Sequence, residues 1–170
     1  NVSFYNGTNK KNISPTPVIG GIGLIKKLEK PINHHFKKEN SCIYVVGKTF
    51  GHLEQSTFLQ EIHLINDGQP PEVNLLNEKN NGESILKIIE NNLAMSVHDI
   101  SSGGLLVGLA EMSLGSNFGI KVNKPSKLTN LIEYFFGEDQ SRYILEIDKE
   151  LEEKVKKILK NNNVFYEKIG

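Results

Sequence analysis

Two periods of apolar residues alternate along this chain, and the alternation limits the folds open to it. Cys42 to Lys48 begins with five consecutive apolar residues, CIYVV, and reads as a buried strand. Ser56 to Ile65 (STFLQEIHLI) instead repeats at helical spacing, with Ser56 placed to cap it. Glu83 to Leu93 sets Ile85, Ile88, Ile89 and Leu93 on one helical face. Further strands are predicted at Thr16–Leu28, Met95–Val97, Phe118–Val122, Arg142–Ile147 and Val164–Ile169. Further helices are predicted at Gly103–Leu114, at Leu128–Phe136 with Gly137 as its C-cap, and at Lys149–Leu159 with Asp148 as its N-cap. Residues 1–15 and 31–41 are polar connectors, and DGQPP at Asp67–Pro71 is a loop. Interleaved helices and strands imply a layered α+β or α/β domain. The stripe of Ile85, Ile88 and Ile89 and that of Leu105, Leu106, Leu109 and Met112 are expected to pack on one sheet.

Composition removes several classes of function. Twenty Lys and Arg balance twenty Asp and Glu over 170 residues, which leaves no electrostatic case for nucleic acid or a membrane surface. No apolar run reaches the ~18 residues of a membrane helix. Cys42 is the one cysteine, so no internal disulfide can form, and a reducing cytoplasm is the expected compartment. The chain opens on Asn1 without an initiator Met, as an excised piece of a longer protein would.

Three stretches carry candidate chemistry. In MSVHDISSGGLLVGLAEMSL (Met95–Leu114) a strand ends at Asp99 and small residues lead into a helix. A helix start presents free N–H groups and partial positive charge. Asp99 is therefore expected to cap the helix, or to hold Mg²⁺, with His98 free to bond a ligand. In FFGEDQSRYILEI (Phe135–Ile147), Glu138, Asp139, Gln140 and Arg142 share one turn. They could take ribose hydroxyls or orient a metal, or form an exposed polar turn in which Arg142 pairs with a neighbouring carboxylate. GKTFGHLEQS (Gly47–Ser56) begins Gly-Lys-Thr, but the first glycine of a phosphate-binding G-x-x-x-x-G-K-[ST] loop is absent. His34, His35, His52, His63 and His98 show no metal-ligand spacing.

NVSFYNGT followed by ISPTPVIGGIGLI, then GKTFGHLEQSTFLQEI, VHDISSGGLLVGLAEMSL and FFGEDQSRYILEI, resembles in order the C-terminal end of the phosphoribosylformylglycinamidine synthase family. That family sits in the aminoimidazole ribonucleotide (AIR) synthetase superfamily. The resemblance implies an α+β fold, an AIR synthetase C-terminal-domain-like layered mixed sheet with helices packed on it. It places residues 1–30 as the tail of a preceding ATP-binding-type domain and 31–170 as the C-terminal domain. It implies a synthase of purine biosynthesis that uses ATP and Mg²⁺ to activate the amide oxygen of formylglycinamide ribonucleotide for attack by ammonia. The implied partners are the rest of the same polypeptide, a glutaminase subunit and a small accessory subunit.

The resemblance assigns no catalytic residue to this chain. It makes Asn1 a Mg²⁺ ligand and Ser3 a substrate contact, and puts His98, Asp99, Glu138 and Gln140 at an auxiliary nucleotide site. The sequence departs from the family at Ser102, where Asp is usual. The isolated piece is expected to be inactive. The alternative reading is a non-catalytic structural or interaction module of the same superfamily.

Overall fold

The computed structural model describes residues 7–8, 11–12, 19–25, 31–123 and 130–170. The chain divides into two compact units, Asn1–Pro31 and Ile32–Gly170. In the first, β1 (Gly7–Thr8) pairs antiparallel with β2 (Lys11–Asn12). The strand expected over Thr16–Leu28 does not form at residues 19–25, and the rest of that range lies outside the described residues. Gly20, Gly21 and Gly23 have open space where a side chain would stand, so nothing there packs as a pleated surface would.

The second unit is built around β3 (Cys42–Val46), whose five residues are all buried. Its register with β5 (Tyr143–Ile147) runs from Cys42 opposite Ile147 to Val46 opposite Tyr143. β4 (Ser96–Asp99) adds beyond β5, and β6 (Tyr166–Lys168) adds beyond β3, giving the order β4-β5-β3-β6. Every pairing in this sheet is antiparallel. The α+β class therefore stands, and the expected mixed sheet is corrected to an antiparallel one.

Side chains alternate across a strand, so an uninterrupted apolar run must be covered on both faces. Cys42, Tyr44, Val46, Leu145 and Ile147 face a core made with α2 (Leu75–Glu90) and α5 (Glu152–Asn161), through Ile85, Ile88, Val155 and Leu159. Ile43, Val45 and Ile144 face a second core with α3 (Gly104–Leu114) and α4 (Leu131–Phe136), through Leu105, Leu109, Met112 and Tyr134. The two predicted stripes thus pack on the same sheet, but on opposite faces. Leu106 is exposed and belongs to neither core.

Other boundaries moved for identifiable reasons. α2 begins eight residues before Glu83, because the Asn74 side chain accepts from Asn77 N at 3.0 Å and nucleates the polar turns that follow. Lys149–Leu151 is a 3₁₀ turn that leads into α5, and Asp148 caps that turn through Glu150 N. Ser56 caps α1 (Thr57–His63) as expected. Phe118–Val122 joins no ladder. Phe118, Ile120 and Val122 still turn alternate side chains onto the second core, as a strand would, and Asn123 N reaches Ile169 O at 2.6 Å. Among the described residues no helix is long and apolar enough to cross a membrane.

Leu109 is 1 % exposed at the centre of the α3–sheet contact. Leu109→Ala should destabilise the domain by ~2–5 kcal/mol. Urea titration followed by circular dichroism measures this, and a loss below half a kilocalorie per mole would show that the helix does not bear on the sheet.

Candidate functional site

α4 ends at Gly137 and β5 begins at Tyr143, so residues 137–142 form the turn between helix and central strand. Gly137 closes the helix at φ −61°, without the left-handed conformation usual for a glycine there. Contact demands the glycine instead, since a Cβ would come within 3 Å of Gly51 Cα.

The next residue, Glu138, joins two helix starts. Its Oε1 accepts from Thr57 N of α1 and from Gly103 N before α3, both at 2.7 Å. A carboxylate at helix N-termini takes up unpaired N–H groups and complements the dipole. Glu138 thus performs the capping expected of Asp99. Gly103 and Gly104 enter α3 at φ 82° and 71°, a backbone path disfavoured for side-chain-bearing residues. The α3 start has no side-chain cap of its own. Asp99 is last in β4, largely exposed, with Oδ1 3.3 Å from His98 Nδ1.

Asp139 is buried and accepts three consecutive backbone N–H groups, Phe50 and Gly51 at 2.9 Å and His52 at 3.2 Å. The phosphate-loop-like segment from Gly47 therefore folds around an internal carboxylate. Arg142 is buried beneath it and donates to Asp139 O, Thr49 Oγ1 and Gly137 O. The expected exposed ion pair is corrected to a buried one, 4.0 Å from Asp139 Oδ2. Burial lowers the Arg142 pKa, and the Asp139 charge opposes that shift.

A cavity of 370 Å³ opens above this turn, lined among others by Glu78, Asp99, Ser101, Glu138, Gln140 and Tyr143. It gathers three of the four expected auxiliary-site residues. His98 instead places Nε2 2.8 Å from Glu111 of α3, and its ring lies beside that of His34. Asn1 and Ser3 lie outside the described residues. Among the described residues no group of three or more His, Cys, Asp or Glu is arranged to hold a metal ion. The lining carries three carboxylates, and each nitrogen of its one guanidinium donates to the protein. Such a cavity suits hydroxyl and amide donors and does not fit the phosphates of ATP.

Two carboxylates went unmarked at the sequence level. Glu146 lies fully buried in β5 and accepts from Lys37 N, Lys38 N, Ser41 Oγ and Ser96 Oγ, which ties the 37–41 connector to the sheet. Its signal was one acid inside the apolar RYILEI run. Glu152, at the start of α5, takes the Tyr44 hydroxyl and the Lys156 and Lys168 ammonium groups. Bonds from Tyr44, then Lys156, hold its pKa down at about 2.

Residues 38–170 match the family model described as AIR synthase related protein, C-terminal domain. The whole chain is 46% identical to phosphoribosylformylglycinamidine synthase subunit PurL of Pelagibacter ubique, covering 23% of that relative. It is 44% identical over 148 residues to the subunit of the same name from Bradyrhizobium diazoefficiens, covering 20% of it. The chain thus spans about a quarter or less of these relatives' length. The fold matches Thermotoga maritima phosphoribosylformylglycinamidine synthase II with a TM-score of 0.64 at 16% identity, over 84% of this chain and 23% of that one. It also matches T. maritima PurL complexed with ATP, with a TM-score of 0.61 at 17% identity, over 84% of this chain and 23% of that one.

Removing the Glu138 carboxylate leaves two helix-start N–H groups without their acceptor. Glu138→Ala should cost about 1–3 kcal/mol, and Glu138→Gln, which keeps an oxygen, clearly less. Urea titration of the pair checks this, and equal losses would sink the capping role.

Glu152 is depressed from 4.5 to about 2 on folding, so it stabilises the folded state above the unfolded value. That contribution should be lost as pH falls from 4.5 towards 2. Glu152→Gln should flatten this part of the stability–pH curve, and a curve unchanged by the substitution would contradict it.

Proposed function

The chain belongs to the AIR synthase related proteins through their C-terminal domain, and on that premise we propose that it is the C-terminal part of a phosphoribosylformylglycinamidine synthase. The observation that carries this reading is the identity of 46% to the Pelagibacter synthase subunit along all 170 residues. The synthase would be an ATP-dependent C–N ligase. It would convert formylglycinamide ribonucleotide, ATP and glutamine-derived ammonia to formylglycinamidine ribonucleotide, with ADP and phosphate released. The amide oxygen is phosphorylated, ammonia adds at that carbon, and phosphate leaves. Residues 1–30 would be the tail of an ATP-binding-type domain and 31–170 the domain that follows it. A glutaminase subunit would supply the ammonia, with a small accessory subunit in the assembly, and Mg²⁺ would accompany ATP in the cytoplasm.

Within that enzyme Asn1 would be a metal ligand and Ser3 a substrate contact. The described residues do not by themselves fit Mg²⁺ or a triphosphate, so no chemical step is assigned to them. Asp99, Glu138 and Gln140 would offer an auxiliary nucleotide site its hydroxyl-binding side, while His98 positions Asp99 and α3.

A second reading is favoured by a specific observation. Glu138, Asp139 and Arg142, the residues with the chemistry, all bond to the protein's own backbone. On that reading the domain scaffolds the enzyme without touching the reaction.

A chimera tests both. The matching segment of the Pelagibacter subunit is replaced by this chain, and product is measured with ATP, ammonia and formylglycinamide ribonucleotide. Product is expected from the chimera and none from the 170-residue chain alone. Asn1→Ala in the chimera should lower turnover at least tenfold with folding unchanged. Asp99→Asn distinguishes the readings: lost turnover at unchanged stability supports an auxiliary site, and unchanged turnover supports the scaffold. A folded chimera with no activity would overturn the synthase assignment.

A further inference from the structure

α1 is poorly anchored to its own domain. It has seven residues, none of them buried, far below the length at which an isolated helix is stable. Its attachments outside the helix include the Ser56 cap, the Glu138 contact, a bond from Gln60 Nε2 to Gln55 O and the stacking of Phe58 on Phe136 at 4.7 Å between ring centroids. From Ile62 near its end onward, Ile62, Leu64, Ile65, Val73, Leu75 and Leu76 are exposed within fifteen residues, Leu64 at 86% and Leu75 at 78%. Single exposed apolar residues are ordinary on a protein surface, and a run of this density marks an interaction surface.

Charge describes the partner. Residues 49–78 contain five carboxylates, Glu54, Glu61, Asp67, Glu72 and Glu78, and no Lys or Arg, in a chain whose charges balance overall. A partner surface that fits is therefore apolar at its centre with Lys or Arg around it. Length describes where that partner comes from. This chain matches 23% of the Pelagibacter subunit, so more than three quarters of that polypeptide lies outside the matched segment. A surface tethered on the same chain meets its target at high effective concentration and needs little intrinsic affinity.

We propose that α1 and the acidic, apolar stretch through Leu76 are the docking surface for another domain of the longer polypeptide, one that presents an apolar patch with a basic rim. The inference rests on the synthase reading for the existence of that polypeptide.

Hydrogen exchange read by mass spectrometry tests it, on the 170-residue chain and on the chimera described above. Amides of 59–65 should exchange at least tenfold more slowly in the chimera. Paired Glu61→Lys and Glu72→Lys substitutions in the chimera should restore fast exchange. Equal rates in chain and chimera would overturn the proposal. Should the chimera fail to fold, the intact Pelagibacter subunit compared with its own matching segment supplies the same readout. Sedimentation of the isolated chain covers the other occupant: a dimer that protects the same amides would overturn the proposal in favour of a second copy. Protection and activity separate the two conclusions. Protection without product upholds the docking surface and sinks the synthase reading, while product without protection does the reverse.

Discussion

The buried guanidinium of Arg142 is the interaction on which the rest of the domain depends. A charge taken from water must find bonds for its donors, and here they are Asp139 O, Thr49 Oγ1 and Gly137 O. Those three acceptors come from the 137–142 turn and from the loop after β3, so the charge forces turn and loop together. Asp139 answers from the same turn by gathering the amides of residues 50–52. Glu138 then fixes the starts of α1 and α3. Three residues of one short turn, Glu138, Asp139 and Arg142, thereby place the loop, two helices and the rim of the cavity relative to the central strands.

The same economy bears on function. In many α/β enzymes, helix starts and amide-rich loops bind phosphate. In this domain those positions are held by Glu138 and Asp139. The amides that a nucleotide would use are committed to the protein's own carboxylates, and the cavity above them is acidic. Such a domain is organised to hold its shape firmly and to offer hydroxyl-binding groups at its rim.

Carboxylates recur as the means of tying neighbouring segments to the sheet. Glu146 holds the 37–41 connector with backbone and hydroxyl donors alone. Glu152 joins α5 to β3 and β6 through Tyr44 and Lys168. Charge-assisted hydrogen bonds are stronger than neutral ones, which lets one side chain secure a segment that has no apolar residues to bury.

Sequence alone determined the elements whose signal is local. CIYVV reads as a buried strand and is one, Ser56 caps α1 as read, Asp148 caps the turn that leads into α5, and Ile85, Ile88, Leu105, Leu109 and Met112 all reach the core. Local signals survive because propensity, capping and period act within a few residues. Tertiary structure alone decided what needed distant partners. Asp99 had the right position and chemistry to cap α3, yet Glu138, thirty-five residues from Gly103, holds that site. Phe118–Val122 had the alternation of a strand and found no ladder. The two helical stripes took opposite faces, because an antiparallel sheet with two apolar faces needs a cover on each. Which carboxylate reaches which amide depends on where the chain returns, and no local pattern carries that information.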